Sequence, residues 1–229
     1  MITIGGFVTF SSIDYPGYLA AVVFCQGCPY RCPYCQNPAL IPMTPQTDQY
    51  KWNDIVTFLK TRQGLLDAVV FSGGEPLSQP QLPQAIQEIK TLGFKIGLHT
   101  AGPNPDLLTK IIKYVDWIGM DIKAPFADYA SITGVKNSGA KALESAKIIL
   151  KNKTPCDFRT TIHPLLLTER QILQIAQELK DLGADNYHLQ KFQPKGCQNK
   201  ELITTSLDNY PSEKLQESLK KLFKKFTVT

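Results

Sequence analysis

The sequence has no apolar run approaching the roughly 20 residues that a membrane-spanning helix needs. Its opening, MITIGGFVTF, lacks the basic segment and the long apolar stretch of a secretory leader. It has no internal repeat and no low-complexity tract. Charge is modest, with 25 Lys and Arg against 20 Asp and Glu for a net +5, too mild to imply nucleic acid. These absences lead to the expectation of a soluble cytoplasmic protein with no membrane and no nucleic-acid partner. They also argue against a disulfide scaffold, because the cytosol keeps thiols reduced.

What is present is ordinary globular composition, 43% hydrophobic and 20% charged over 229 residues, enough for one core without covalent staples. Short apolar runs alternate with longer segments of helical period. Strands are expected at Leu19–Phe24, Ala68–Phe71, Phe94–His99, Trp117–Ile122, Asp157–Ile162 and Tyr187–Phe192. Helices are expected near 53–62, 80–91, 105–114, 139–151 and 168–182. Thr168 followed by Gln171 reads as a helix cap, while Gly93 and Gly183 read as helix ends.

Near-continuous apolar strands between helices imply a parallel sheet under a helical layer. Six βα units are fewer than the eight of a closed barrel. The expected fold is α/β, either a doubly wound sheet or an open, partial barrel. No domain boundary is evident. Residues 1–18 read as an N-terminal extension in the form of a small hairpin, 19–195 as the βα core and 196–229 as a C-terminal segment. There, a helix is expected to bury Leu215, Leu219, Leu222 and Phe226. This last stretch also carries Lys214, Lys220, Lys221, Lys224 and Lys225, a face more often solvated than functional, although it could dock an acidic protein.

Six cysteines are distributed unevenly. Cys25, Cys28, Cys32 and Cys35 fall within Phe24-Cys-Gln-Gly-Cys-Pro-Tyr-Arg-Cys-Pro-Tyr-Cys-Gln-Asn-Pro38, while Cys156 and Cys197 stand apart as ordinary thiols. So dense a cluster in a reducing compartment points to metal or redox chemistry. Two ligand sets overlap. Two Cys-x2-Cys pairs would make a four-thiolate site, but zinc sites usually separate their pairs by more than three residues. Cys28-x3-Cys32-x2-Cys35 makes a three-thiolate site, which on a four-iron cluster leaves one iron open.

That three-thiolate spacing, with aromatic Tyr34 before the last cysteine, resembles the signature of the radical S-adenosylmethionine (SAM) enzymes. The resemblance implies a partial (β/α)6 TIM-like barrel and a [4Fe-4S] cluster held by Cys28, Cys32 and Cys35, with Cys25 a non-ligand. It also implies SAM chelated at the open iron. Further strand ends agree. Phe71-Ser-Gly-Gly-Glu-Pro76 matches the family's Gly-Gly-Glu-Pro element, so Gly73, Gly74, Glu75 and Pro76 are expected to hold the SAM amino group. Consecutive glycines admit close backbone approach, and a carboxylate accepts from an ammonium. Strand alternation puts Asp121 and Lys123 on one face, and the pair resembles an Asp-x-Lys element that contacts the methionine part of SAM. In a parallel array these strand ends share one rim, where active sites lie.

Thr100 falls in His99-Thr100-Ala-Gly102, where the related activases often carry Asp-Thr-Asn-Gly and some bind a monovalent cation. His99 replaces the Asp and puts that cation in doubt. His99 is expected to cap its strand and His163 to be structural. Arg159 and Gln190 are candidates to face the cavity, Gln190 near the adenosine.

The resemblance covers nearly the whole chain and is strongest to activating proteins of anaerobic ribonucleoside-triphosphate reductase. Phe10-Ser-Ser-Ile-Asp-Tyr-Pro-Gly17 and Cys35-Gln-Asn-Pro38 also fit that group. The implied function is reductive cleavage of SAM and hydrogen abstraction from a glycine of a glycyl radical enzyme, with flavodoxin or ferredoxin as electron donor. No general acid–base pair is found and none is required. Two alternatives stand beside it. One is a radical SAM enzyme acting on a small molecule such as a deazapurine precursor or on a peptide; the other is a zinc-binding interaction module.

Overall fold

The computed structural model describes residues 1–44 and 50–229. Eight strands form one sheet in chain order: β1 (Ile4–Ser11), β2 (Ala20–Cys25), β3 (Ala68–Gly73), β4 (Lys95–Thr100), β5 (Trp117–Asp121), β6 (Cys156–Ile162), β7 (Asn186–Lys191) and β8 (Lys225–Val228). β1 runs antiparallel to β2, and every later neighbour pair is parallel. Among the described residues β1 and β8 are unpaired on their outer sides, so the barrel is open.

The six expected strands are all present within one or two residues of their expected limits. β2 and β3 are buried on both faces, which is why they read as unbroken apolar runs. Alternate residues divide between two cores. Val69 and Phe71 face the helices, whereas Ala68, Val70, Ala20 and Val22 pack inside the barrel. The loop after β1 fills that inner side with Tyr15, whose ring lies 5.4 Å from Trp117. The N-terminal extension is therefore an edge strand plus a plug, rather than a hairpin of its own.

The outer layer comprises α1 (Trp52–Lys60), α2 (Leu82–Thr91), α3 (Pro105–Ile111), α4 (Tyr129–Thr133), α5 (Ser138–Asn152), α6 (Glu169–Asp181), α7 (Lys200–Thr204) and α8 (Glu213–Leu222). α3 runs on through a 3-10 turn to Tyr114. α6 has the expected cap in full, with Thr168 Oγ1 accepting from the Gln171 amide and Gln171 Oε1 accepting from the Thr168 amide. α4 and α7, at five residues each, are too short to show a period and were not expected.

One assignment changes. Leu215, Leu219 and Leu222 lie on α8, but Phe226 does not. The chain turns extended at Phe223, and Lys225-Phe-Thr-Val pairs with β7. Phe226 packs against the Tyr187 ring from that strand, with centroids 6.3 Å apart. Lys224 and Lys225 sit at the start of β8, the end of the barrel opposite the cysteine loop, where Lys224 pairs with Asp185 at 2.8 Å.

Candidate active site

Cys25 ends β2, Gly73 ends β3, Thr100 ends β4 and Asp121 ends β5, so four successive parallel strands deliver their motifs to one rim. A cavity of about 470 Å³ opens there. Of the residues singled out in the sequence, Cys28, Cys32, Cys35, Tyr34, Gly73, Gly74, Glu75, Thr100, Asp121, Lys123 and Gln190 line it. Pro76 does not. It is buried as the first residue of a 3-10 turn, where its missing N–H costs nothing.

The cysteine loop is tied by its own backbone. Gly27 N donates to Leu40 O at 2.8 Å, Cys28 N to Ile41 O at 3.1 Å and Arg31 N to Thr133 O at 2.8 Å. The Arg31 guanidinium donates to the carbonyls of Cys28 and Tyr30, both at 2.9 Å. Cys25 is fully buried in the outer core and does not line the cavity. Burial also pushes the Cys28 thiol up to about 12, with Glu75 adding to the rise. Cys156 lies on β6, away from the cavity. Cys197 donates its S–H to the Pro33 carbonyl at 3.6 Å, so it braces the cysteine loop from outside.

The glycines of the Gly-Gly-Glu-Pro turn have a reason the sequence did not reveal. A Cβ on Gly74 would lie 2.5 Å from the Gly27 carbonyl oxygen and 2.6 Å from that of Leu40. On Gly73, whose φ is +110°, it would lie 2.5 Å from the Cys25 amide nitrogen. The turn packs directly on the cysteine loop and bonds to it, Gly74 N to Cys25 O at 2.8 Å and Glu75 N to Gly27 O at 2.9 Å.

Glu75 is only 2% exposed. Oε1 accepts from the Leu77 amide at 3.0 Å and the Thr100 hydroxyl at 2.6 Å, and Oε2 from the Ala101 amide at 2.8 Å. Burial lifts its pKa to about 7 against those three hydrogen bonds. A carboxylate has about four acceptor positions, so roughly one remains for a ligand donor.

Asp121 and Lys123 do share a face. Lys123 Nζ lies 3.2 Å from Asp121 Oδ2, and the loop between them is held by Tyr129, whose hydroxyl donates to Asp121 O and accepts from Lys123 N. Sequence reasoning did not find Tyr129, and it weighed Arg159 only as a candidate. The Arg159 guanidinium contacts Asp121 Oδ1 at 2.9 Å through Nη2 and 3.0 Å through Nε. Burial would raise the Asp121 pKa, but Lys123 and Arg159 together hold it well below the usual carboxylate range.

His99 has both ring nitrogens occupied, Nε2 at 2.9 Å from the Asp14 carbonyl and Nδ1 at 3.4 Å from Ser72 Oγ. It ties the N-terminal plug to the barrel. Burial, then the neighbouring Arg159, lowers it to about 4, so it carries no charge near neutrality. His163 is structural, packed on Phe192 with Nε2 3.1 Å from the Leu202 carbonyl.

The model of the Radical SAM superfamily matches residues 22–179. The chain belongs to the radical SAM superfamily. It is 32% identical over 97% of its length, and 92% of the other's, to a Methanocaldococcus jannaschii protein provisionally named as a glycyl-radical enzyme activating enzyme. It is 30% identical to a PqqA peptide cyclase from Streptomyces rochei over 74% of this chain and 46% of that one. Among solved structures, Streptococcus suis SuiB bound to its precursor peptide SuiA overlays with a TM-score of 0.67, at 15% identity, over 90% of this chain and 48% of the other. The chain thus spans about half the length of these last two proteins.

Membership of this radical SAM family implies a [4Fe-4S] cluster and SAM, and the residues present fit them. Three thiols from one loop line a single cavity, a soft donor set suited to iron and sulfur. The buried hydroxyls of Tyr30 and Tyr34, in the same wall, have no hydrogen-bond partner among the described residues. Among those residues no helix is long and apolar enough to cross a membrane.

Proposed function

We propose that the protein is a glycyl-radical-enzyme activating enzyme, most consistent with anaerobic ribonucleoside-triphosphate reductase as its partner. The observation that carries this reading is the similarity to the Methanocaldococcus jannaschii protein along nearly the full length of both chains. In this reading the chain works as one cytoplasmic unit with flavodoxin or ferredoxin as electron donor.

Cys28, Cys32 and Cys35 would hold the cluster, with Cys25 outside the ligand set. The chemistry supplied by a bound, reduced cluster would be one-electron reductive cleavage of SAM, directed to removal of a Cα hydrogen from a glycine of the partner. The remaining residues bind and orient. The Gly73-Gly74 backbone and the free acceptor position of Glu75 meet the SAM ammonium. Lys123, aimed by Asp121, meets its carboxylate. Thr100 fixes Glu75, while Tyr34 and Gln190 border the nucleoside. A second cavity of about 270 Å³ shares Arg159 and Gln190 with the first and continues down the barrel, giving a partner's loop a place to enter.

The test is to reconstitute the protein with iron and sulfide under argon, reduce it and add SAM. 5′-Deoxyadenosine is expected, and its absence from cluster-loaded protein overturns the radical reading. An EPR doublet on an added glycyl radical enzyme then supports the activase role. Similarity to the PqqA peptide cyclase favours a second reading, radical modification of a peptide. SAM cleavage with no doublet on any glycyl radical enzyme, and a modified peptide or small molecule instead, would establish an alternative of that kind.

A further inference from the structure

The side chain that completes the charge balance of the rim comes from a strand the motifs do not include. Arg159 is the fourth of the seven residues of β6, and its register partner on β5 is Asp121. Its guanidinium does more than pair with the carboxylate, since Nη2 also lies 3.4 Å from the Gly119 carbonyl. It therefore bridges two acceptors on β5, the Asp121 carboxylate and the Gly119 main-chain carbonyl. The guanidinium lies over Gly119, and a side chain there would push it aside. A Cβ there would stand 2.8 Å from the guanidinium carbon.

Every acceptor around Asp121 is consequently matched by a donor from the chain. Oδ1 faces Arg159, Oδ2 faces Lys123, the main-chain carbonyl accepts from Tyr129, and the Gly119 carbonyl faces Arg159. The neighbouring histidine, His99, is neutral and committed to Asp14 and Ser72. Two cations share a single carboxylate, so the group keeps one positive charge. Lys123 and Arg159 side chains are 12% and 14% exposed, which limits solvent screening of that charge. Two nitrogens of one planar guanidinium converging on Asp121 Oδ1 fix direction as well as charge, which a lysine on the same strand could not do.

We infer that Arg159 is a positioning residue for cosubstrate binding: its guanidinium, clamped on Asp121 and Gly119, holds the Asp121 carboxylate in place so that the Lys123 ammonium is presented, with its charge uncancelled, to the carboxylate of SAM. The inference rests on the function proposed above and assigns a role to a residue outside the cysteine, Gly-Gly-Glu-Pro and Asp-x-Lys elements. Without Arg159, Asp121 and Lys123 would neutralise one another and the pair would offer an anion little.

Cluster-loaded wild type, Arg159→Ala and Arg159→Gln are compared for iron content, equilibrium SAM affinity and 5′-deoxyadenosine yield. Both variants are expected to load iron as wild type does and to bind SAM roughly tenfold or more weakly, the size of one charge-assisted contact. Guanidinium ion at millimolar concentration, far below denaturing levels, is expected to restore SAM affinity to Arg159→Ala, whereas urea at the same concentration, similar in shape but uncharged, is not, a difference that a merely structural role would not produce. Unchanged SAM affinity in either variant overturns the inference. So does lost affinity in an iron-replete Arg159→Ala that guanidinium leaves unrestored. If Arg159→Ala fails to load iron, Arg159→Gln, which keeps the length and loses the charge, decides alone. A wild type that loads its cluster but binds no SAM removes the proposed function itself and this inference with it. Equal binding by wild type and variants removes only Arg159.

Discussion

The Thr100 hydroxyl donates to Glu75 Oε1 over 2.6 Å, and this bond joins the turn after β3 to the end of β4. The next residue repeats the tie, with the Ala101 amide donating to Oε2 at 2.8 Å. Glu75 is thus a brace between two strand ends before it is a ligand for anything. An amide in its place cannot satisfy both sides, because an NH2 would face the Ala101 N–H. Glu75→Gln is expected to cost about 1–3 kcal/mol, the penalty for leaving a buried donor unmatched. Urea unfolding of the cluster-free protein at neutral pH measures it, and an unchanged midpoint would contradict the brace.

The same residue has a pH signature, and His99 has the opposite one. Burial raises Glu75 from 4.5 to about 7, so between those values the folded protein holds a proton that the unfolded chain has released. Stability from this group falls as pH rises through that window. Burial and Arg159 lower His99 from 6.5 to about 4, so between those values the unfolded chain holds the extra proton and stability rises with pH. Each effect is about 3 kcal/mol in size, and their windows nearly coincide, so in the wild type they largely cancel. His99→Gln, left with the Glu75 effect alone, should therefore lose stability as pH rises from about 4.5 to 7. Glu75→Gln should gain it as pH rises from about 4 to 6.5. Unfolding curves across that range check both, and parallel profiles for all three proteins would show that neither group is shifted.

How much of this could be read in the sequence varies with the kind of interaction. The six inner strands stood out because parallel strands covered on both faces are apolar throughout, as in Ala68–Phe71. The cap of α6 stood out because Thr168 and Gln171 satisfy each other locally. β1 did not, since it is an edge strand with adjacent glycines and exposed Val8 and Phe10. Phe226 follows Leu222 by four and so imitates a helical stripe. In the site, the motif residues announce themselves by spacing, but the pairing of Asp121 with Arg159 depends on strand register. Nothing local to either residue encodes that register. Parity alone, with Phe158, Thr160 and Ile162 buried on the other face, could have turned Arg159 toward the barrel interior. The packing of Gly74 on Gly27 and Leu40 was likewise hidden, because it is a contact between two loops.

That packing makes Gly74 a test of how the cluster loop is supported. A methyl group at this position meets two backbone carbonyl oxygens, at 2.5 and 2.6 Å, neither of which can rotate away. The cysteine loop or the turn must shift. Gly74→Ala should destabilise the protein by about 1–3 kcal/mol, as overpacking does, and should also reduce iron retained after reconstitution. A variant that lost stability but held full iron would show that the loop tolerates the shift.

The thermodynamic value of the α6 cap can be isolated from the chemistry altogether. Thr168 lies at the start of a helix on the outer layer, and its hydroxyl and amide both bond to Gln171. Thr168→Ala should cost about 1 kcal/mol while leaving iron content and SAM cleavage unchanged. Thermal unfolding and an iron assay on the same preparation suffice.

Cys25 offers the sharpest distinction between a thiol near the site and one in it. It sits three residues before Cys28 in the same loop sequence, yet it ends β2 within the outer core while Cys28, Cys32 and Cys35 line the cavity. Ala in place of any of the three cavity thiols removes a donor from a set with no spare and should reduce retained iron to near background. Cys25→Ala deletes one buried sulfur atom and should cost on the order of 1 kcal/mol of stability, with iron bound as in wild type. Iron and sulfide assays after reconstitution, together with the visible absorption of the loaded protein, separate the two outcomes. Loss of iron in a folded Cys25→Ala would place a fourth thiolate on the metal, close the open coordination position and remove the basis for SAM binding.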